Sequence, residues 1–196
     1  VNTYRQHLAI GAKVSALQVQ AIPDPQALAA LVAAQDACRA SIEGWWRVPA
    51  ASLHLTVQPI IDPGEPTNAG DVLSDPMPHW CDELAQICRL TQPFVVRLDR
   101  IACLGNAIIA LGEQPHPLAV LRSQLADALA EKVRPVRRLD IAHVTLFRRT
   151  GQCDQPDLAP ILHECTMIIG HLRLVKEKVY PSLDVEVLST FTLDGV

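Results

Sequence analysis

Two short segments, His54-Leu55-Thr56-Val57 and His143-Val144-Thr145-Leu146, hold the residues best suited to chemistry. On a β-strand alternate residues face the same side. His54 and Thr56 therefore point together, away from Leu53, Leu55 and Val57, and His143 and Thr145 do the same against Ala142, Val144 and Leu146. A lone pair of this kind is an ordinary polar strand face. Two pairs, 89 residues apart in equivalent surroundings, predict a shared cavity if the halves meet about a pseudo-two-fold axis. Imidazoles exchange protons near neutral pH. One would activate water or a ribose hydroxyl and the other would protonate the departing oxygen. The threonine hydroxyls could donate to non-bridging phosphoryl oxygens, where transition-state charge is held. The set suits phosphodiester chemistry without a metal, and the assignment of acid and base depends on how the substrate lies.

The surrounding pattern is duplicated. Residues 14–22 read as a strand, Pro23 and Pro25 as a turn, and residues 26–40 as an Ala/Leu-rich helix. Gly44-Trp45-Trp46-Arg47-Val48-Pro49 then breaks the helix and leads into the first histidine strand. Residues 106–111 again read as a strand, 118–132 as a helix, and Pro135 precedes the second motif as Pro49 precedes the first. The repeated order supports a duplicated architecture more strongly than either motif alone. Between the repeats, 80–90 reads as a helix and 94–103 as a strand, and 62–78 as a long surface loop. Residues 152–160 read as loop, and 167–178 and 183–193 as a terminal strand pair at the sheet edges.

Composition bounds the alternatives. The chain has 196 residues, 49% hydrophobic and 19% charged, enough for a substantial core and unlike a disordered chain. A net charge of −4 argues against coating nucleic acid nonspecifically. Aromatic residues make up only 4%, so the core must be aliphatic. No apolar run reaches the roughly 18 residues of a membrane span. The opening stretch, VNTYRQHLAIGAKV, has no basic flank followed by a long apolar run, so no signal peptide is expected there. Cys38, Cys81, Cys88, Cys103, Cys153 and Cys165 show no CxxC spacing and are expected to be buried free thiols in a reducing, cytoplasmic setting. No Gly-rich phosphate loop is present.

The paired HLTV and HVTL motifs, their spacing and the terminal hairpin resemble the 2H phosphoesterase superfamily, particularly its 2′-5′ RNA ligase-like and cyclic phosphodiesterase branch. The resemblance runs from Val14 to Leu193. It implies an α+β, bilobal duplicated fold, with two antiparallel-sheet lobes flanked by helices around a central groove. The chain is then one domain, 1–196, with an N-terminal lobe near 14–90, a C-terminal lobe near 105–193 and strand exchange between them. It places the catalytic pair on His54 and His143 and phosphate binding on Thr56 and Thr145. The family's longer second motif, HxTLxR, has its elements here in His143, Thr145, Leu146 and Arg148. The implied activity is metal-independent hydrolysis of a cyclic phosphodiester, on a 2′,3′-cyclic nucleotide or short RNA terminus. No cofactor, membrane or obligate protein partner is implied. The alternatives are a non-catalytic nucleotide- or RNA-binding module, a 2′-5′ RNA ligase-like activity and a structural interaction domain. The first motif departs from the family in Val57-Gln58-Pro59, where leucine and an aromatic are more usual. With few aromatic residues to stack bases, this favours a small cyclic nucleotide over a long RNA.

Further substrate contacts are candidates. Lys132, Arg134, Arg137, Arg138, Arg148 and Arg149 cluster about the second motif, either as a solvated face or as phosphate contacts. Regular strand parity turns Phe147 toward the histidine side, to meet a base or seal the groove. The same parity turns Arg148 away, so its contact with phosphate requires a bend, twist or bulge after Leu146. Trp46, with Trp45, could wall the groove or pack in the core, and Tyr180 sits in the terminal turn. His7, His79, His116, His163 and His171 lie in no repeated motif and read as ordinary surface or core histidines.

Overall fold

The computed structural model describes residues 8–38, 42–64, 77–129, 139–151, 156, 158 and 161–195. Strand β1 (Lys13–Ala21) is followed by helix α1 (Pro25–Cys38). Asp24 caps that helix, its Oδ1 accepting the N–H groups of Gln26 and Ala27 at 3.0 and 2.9 Å. Proline at the first helical position costs no hydrogen bond. Next come β2 (Trp45–Arg47), β3 (Leu55–Ile61), α2 (Met77–Leu90), β4 (Phe94–Leu104) and β5 (Ala107–Gly112). Gly105, at φ +60°, opens the two-residue turn between β4 and β5. Helix α3 (His116–Leu129), β6 (Ala142–Arg149), β7 (Ile161–Ile169), β8 (His171–Val179) and β9 (Asp184–Thr192) complete the chain.

The strands form one continuous antiparallel order, β7-β4-β5-β6-β3-β1-β8-β9, with β2 added beside β6. The fold is therefore α+β with a curled sheet, and the two expected sheet lobes are halves of that sheet. They meet where β3 and β6 pair at Leu55 and Val144. Helix α1 packs on β7 and β6, α3 packs on β3, and α2 packs on α3 and β9. Each repeat thus lays its helix on strands outside its own half of the sheet. Leu17, Val19, Leu31, Leu55, Leu121, Leu125 and Val144 are among the aliphatic residues of the shared core.

Three expectations change. Residues 45–47 form a strand rather than a plain break, because the β6 edge pairs Trp45, Trp46 and Arg47 with Arg149, Arg148 and Phe147. Residues 167–178 are not one strand. Met167 pairs with Val96 in β7, whereas His171 pairs with Thr192 in β8, and Gly170 alone joins these two regions of the sheet. The apolar run on both sides of Gly170 hides this slip of phase. Strand β8 also lies inside the sheet, between β1 and β9, and only β9 is the edge of that terminal pair. The loop at 62–78 and the stretch at 152–160 fall largely outside the described residues, as do Lys132, Arg134, Arg137, Arg138 and Cys153. No helix among the described residues is long and apolar enough to cross a membrane.

Candidate active site

The repeats superpose in register as well as in order. Thr56 pairs with Gln20 and Gln58 with Val19, leaving Val57 as an extra residue in β3. Thr145 pairs with Ile109 and Phe147 with Ile108, leaving Leu146 as the extra residue in β6. All four correspondences fall at the same 89-residue offset that separates His54 from His143. Each histidine strand therefore bulges directly after its threonine. A bulge frees backbone groups from the ladder, and here a buried helix side chain answers each one. Arg122 Nε of α3 donates to Val57 O at 2.9 Å, and Gln35 Nε2 of α1 donates to Leu146 O at 2.8 Å. Arg122 also reaches the carbonyls of Thr56 and Ile141 at 2.9 Å, so one guanidinium holds the backbone of both motifs. Neither Arg122 nor Gln35 stands out in the sequence, where each occupies a helix with no charged or amide pattern.

The bulge in β6 reverses the parity expected for its last residues. Leu146 and Phe147 both turn into the core, and Phe147 is only 1% exposed. Phe147 therefore does not extend the histidine face. Arg148 turns the other way and lines the cavity; the irregularity expected after Leu146 falls at Leu146 itself. In the first repeat the position equivalent to Arg148 is Pro59, which also lines the cavity.

That cavity, about 150 Å³, lies where the two halves of the sheet meet. It brings together His54, Thr56, His143, Thr145, Arg148 and Tyr180. Trp46 is not among its lining residues; it lies opposite Arg148 in the β2–β6 ladder, half-buried against the core. The Arg148 guanidinium lies 5.5 Å from the centre of the Tyr180 ring, within reach of a cation–π interaction, and Nη1 is 3.4 Å from Asn106 Oδ1. Gln18, Glu177 and Ser182 also line the cavity and were not singled out from the sequence. Among the other histidines, His116 and His171 are exposed, and the side chains of His7, His79 and His163 lie outside the described set.

His54 Nδ1 lies 2.8 Å from Ser52 O. A carbonyl only accepts, so Nδ1 carries the hydrogen and Nε2 of the neutral ring is left as an acceptor. Burial pushes the His54 pKa down to about 4; the Ser52 bond opposes this, and Arg148 and Arg173 add to it. Cys38, Cys88 and Cys165 are buried free thiols, as expected, whereas Cys81 and Cys103 are only partly buried; burial pushes Cys88 up to about 12 and Cys165 to about 11, which leaves them poor nucleophiles. No group of three or more His, Cys, Asp or Glu side chains suited to a metal occurs among the described residues.

The architecture has solved counterparts. A Thermus thermophilus protein, TT0787, is similar over 92% of this chain and 98% of its own, with a TM-score of 0.74 and 22% identity. A protein described as a phosphoesterase matches with a TM-score of 0.71, 14% identity and coverage of 91% and 98%. Escherichia coli LigT complexed with 3′-AMP matches with a TM-score of 0.69, 13% identity and coverage of 92% and 99%. The chain shares their fold. No family model matches the chain, and neither does any curated protein sequence.

Proposed function

We propose that the chain hydrolyses a cyclic phosphodiester at a nucleotide or short RNA end, without a metal, through paired-histidine acid–base catalysis. The carrying observation is the convergence of His54, Thr56, His143, Thr145 and Arg148 on one small cavity at the seam of a duplicated sheet. His54, neutral with Nε2 open, is the general base: it takes a proton from water as the water oxygen attacks phosphorus. The bond from phosphorus to one ribose oxygen breaks, and protonated His143 supplies the proton to that oxygen. Thr56, Thr145 and Arg148 hold the non-bridging oxygens as charge accumulates. The product is a ribose phosphomonoester beside a free hydroxyl. The scarcity of aromatic side chains to stack bases favours a nucleotide end over an extended strand. The fold shared with LigT, whose structures hold 3′-AMP and phosphate, supports the same ligand class. The chain acts as one unit, because β8 and β9 complete the sheet beside β1 and neither repeat alone supplies both histidines.

The test is hydrolysis of a panel of 2′,3′-cyclic nucleotides and 2′-5′-linked oligonucleotides in the presence of EDTA. Wild type should release product, and His54→Ala or His143→Ala should each lose at least about 100-fold in kcat/KM. The acid limb of the wild-type profile should rise through pH about 4 as His54 gives up its proton. Undiminished turnover in both variants would sink the two-histidine mechanism. Binding of nucleotides by folded wild type without turnover of any panel member would make the groove a binding module.

A further inference from the structure

Glu177 has no part in that chemistry, yet it lines the same cavity and is only 3% exposed. Its Oε1 accepts the Ser182 N–H at 2.6 Å, which fixes one side of the carboxyl group. Its Oε2 accepts from Gln18 Nε2 at 3.4 Å, while Gln18 Oε1 accepts the Thr56 hydroxyl at 3.1 Å. A hydroxyl has one hydrogen. In this arrangement the hydrogen of Thr56 goes to Gln18 and is withheld from a phosphoryl oxygen.

An amide turned end for end reverses the arrangement. With its NH2 group toward Thr56, Gln18 donates to Oγ1 and leaves the hydroxyl hydrogen free for substrate. The turned amide then aims its oxygen at Glu177 Oε2, and two acceptors face each other unless the carboxyl group carries a proton. Ser182 Oγ, 3.3 Å from Gln18 Nε2, suits either orientation because a hydroxyl both donates and accepts. The proton on Glu177, the direction of Gln18 and the direction of the Thr56 hydrogen are thus one linked choice. The second repeat lacks this device: Ala107 stands 89 residues after Gln18, where Thr145 would need the amide. The first repeat therefore carries a relay, and the second carries Arg148.

We propose that Glu177 is a positioning residue, which acts through Gln18 to decide whether Thr56 donates to the phosphoryl group. The proposal rests on the phosphodiesterase reading above. Protonated Glu177 releases the Thr56 donor, and ionised Glu177 withholds it. Burial between β1 and β9 pushes its pKa up, the Ser182 N–H and Arg148 pull it back and Asp62 pushes it up again, leaving it at about 7. Its partners in the sheet, Ala16 and Val185, bring no charge, and His54 and His143 lie on the cavity's other walls. The switch therefore turns over near neutrality.

Glu177→Gln decides the matter, since a neutral amide can still accept the Ser182 N–H and donate to Gln18 Oε1. The ratio of its kcat/KM to that of wild type on a 2′,3′-cyclic nucleotide should rise about tenfold from pH 6 to pH 8, the lower end of what one charge-assisted hydrogen bond is worth. In a Thr56→Val background the same ratio should stay flat. A flat ratio with Thr56 present, or an equal rise without it, overturns the proposal. A substrate-free arm separates this failure from failure of the phosphodiesterase reading. The side-chain amide resonances of Gln18 should titrate with a midpoint near 7 in wild type and not in Glu177→Gln. Resonances that stay fixed in wild type across that range overturn the relay whether or not the protein turns over any cyclic phosphate.

Discussion

Gln35 is fully buried on α1, and Gln35→Met removes its hydrogen bonds while nearly keeping its length and volume. Its Nε2 donates to Val48 O and Leu146 O at 2.8 Å each, and its Oε1 accepts from Arg47 Nε at 3.0 Å. Leu146 O also accepts the Val48 N–H at 3.0 Å, so it keeps one of its two partners. Val48 O loses its amide donor inside the core. Arg47 keeps Asp36 and reaches solvent, so its loss is negligible. With about 1–2 kcal/mol for the stranded Val48 carbonyl and about 1 kcal/mol for the weakened Leu146 carbonyl, the expected cost is about 2–3 kcal/mol. For a chain of this size that lowers Tm by about 5–10 °C. Urea unfolding, compared with wild type at equal m-value, measures it directly. Since Leu146 is the bulged residue that turns Arg148 into the cavity, kcat/KM on a cyclic phosphodiester should also fall about tenfold where the variant is still folded. A stability change below about 0.5 kcal/mol would refute the role given to the amide. Full destabilisation with unchanged kcat/KM would break the link from bulge to arginine.

Asp24 joins α1 to β7, because its second oxygen accepts the Ile168 N–H at 3.0 Å. Burial raises its pKa, but the N–H groups of Ala27, Ile168 and Gln26 together hold it below the usual 3.8. Its contribution is therefore present above that value and lost as pH falls through the folded pKa; Asp24→Ala should cost about 1–2 kcal/mol at pH 7 and progressively less as the pH is lowered below the carboxylate range, as a series of thermal melts will show. Gly112→Ala would drive a Cβ into the Arg97 carbonyl oxygen, far inside van der Waals contact. A backbone clash of that kind should cost about 3 kcal/mol or more, read as a lowered urea midpoint, and wild-type stability would show that β4 and β5 do not approach so closely.

Much of the site is legible in the sequence because strand parity is local. His54 and Thr56, like His143 and Thr145, need only two residues of regular backbone to face one way. Parity fails at the next residue, Val57 or Leu146, where each strand bulges. The groups that satisfy the freed carbonyls are Arg122 and Gln35, 65 and 111 residues away along the chain, so no local pattern announces them. Regular parity requires a bend, twist or bulge after Leu146 for Arg148 to reach the site; the bulge comes at Leu146 itself, which also turns Phe147 to the side opposite the one expected. Glu177 escaped for a related reason. In Lys176-Glu177-Lys178 it reads as part of a wet strand face, and only the packing of β8 between β1 and β9 buries it. The α1 and α3 helices were legible from composition; the sheet that joins them depends on long-range pairing, such as β8 with β1.

The passage through Gly170 has a mechanical meaning. The halves of the sheet pair along their inner seam at Leu55 and Val144, and Arg122 ties the carbonyls of Thr56, Val57 and Ile141 across it. Far from that seam, β7 and β8 are stitched by a single residue, and Gly170 O is held there by the Leu193 N–H at 2.9 Å. The curled sheet is thus tied at two places, across the seam and through Gly170. Cutting the chain at Gly170 would leave both histidine strands whole and remove the second of these ties, leaving the seam alone to hold them together.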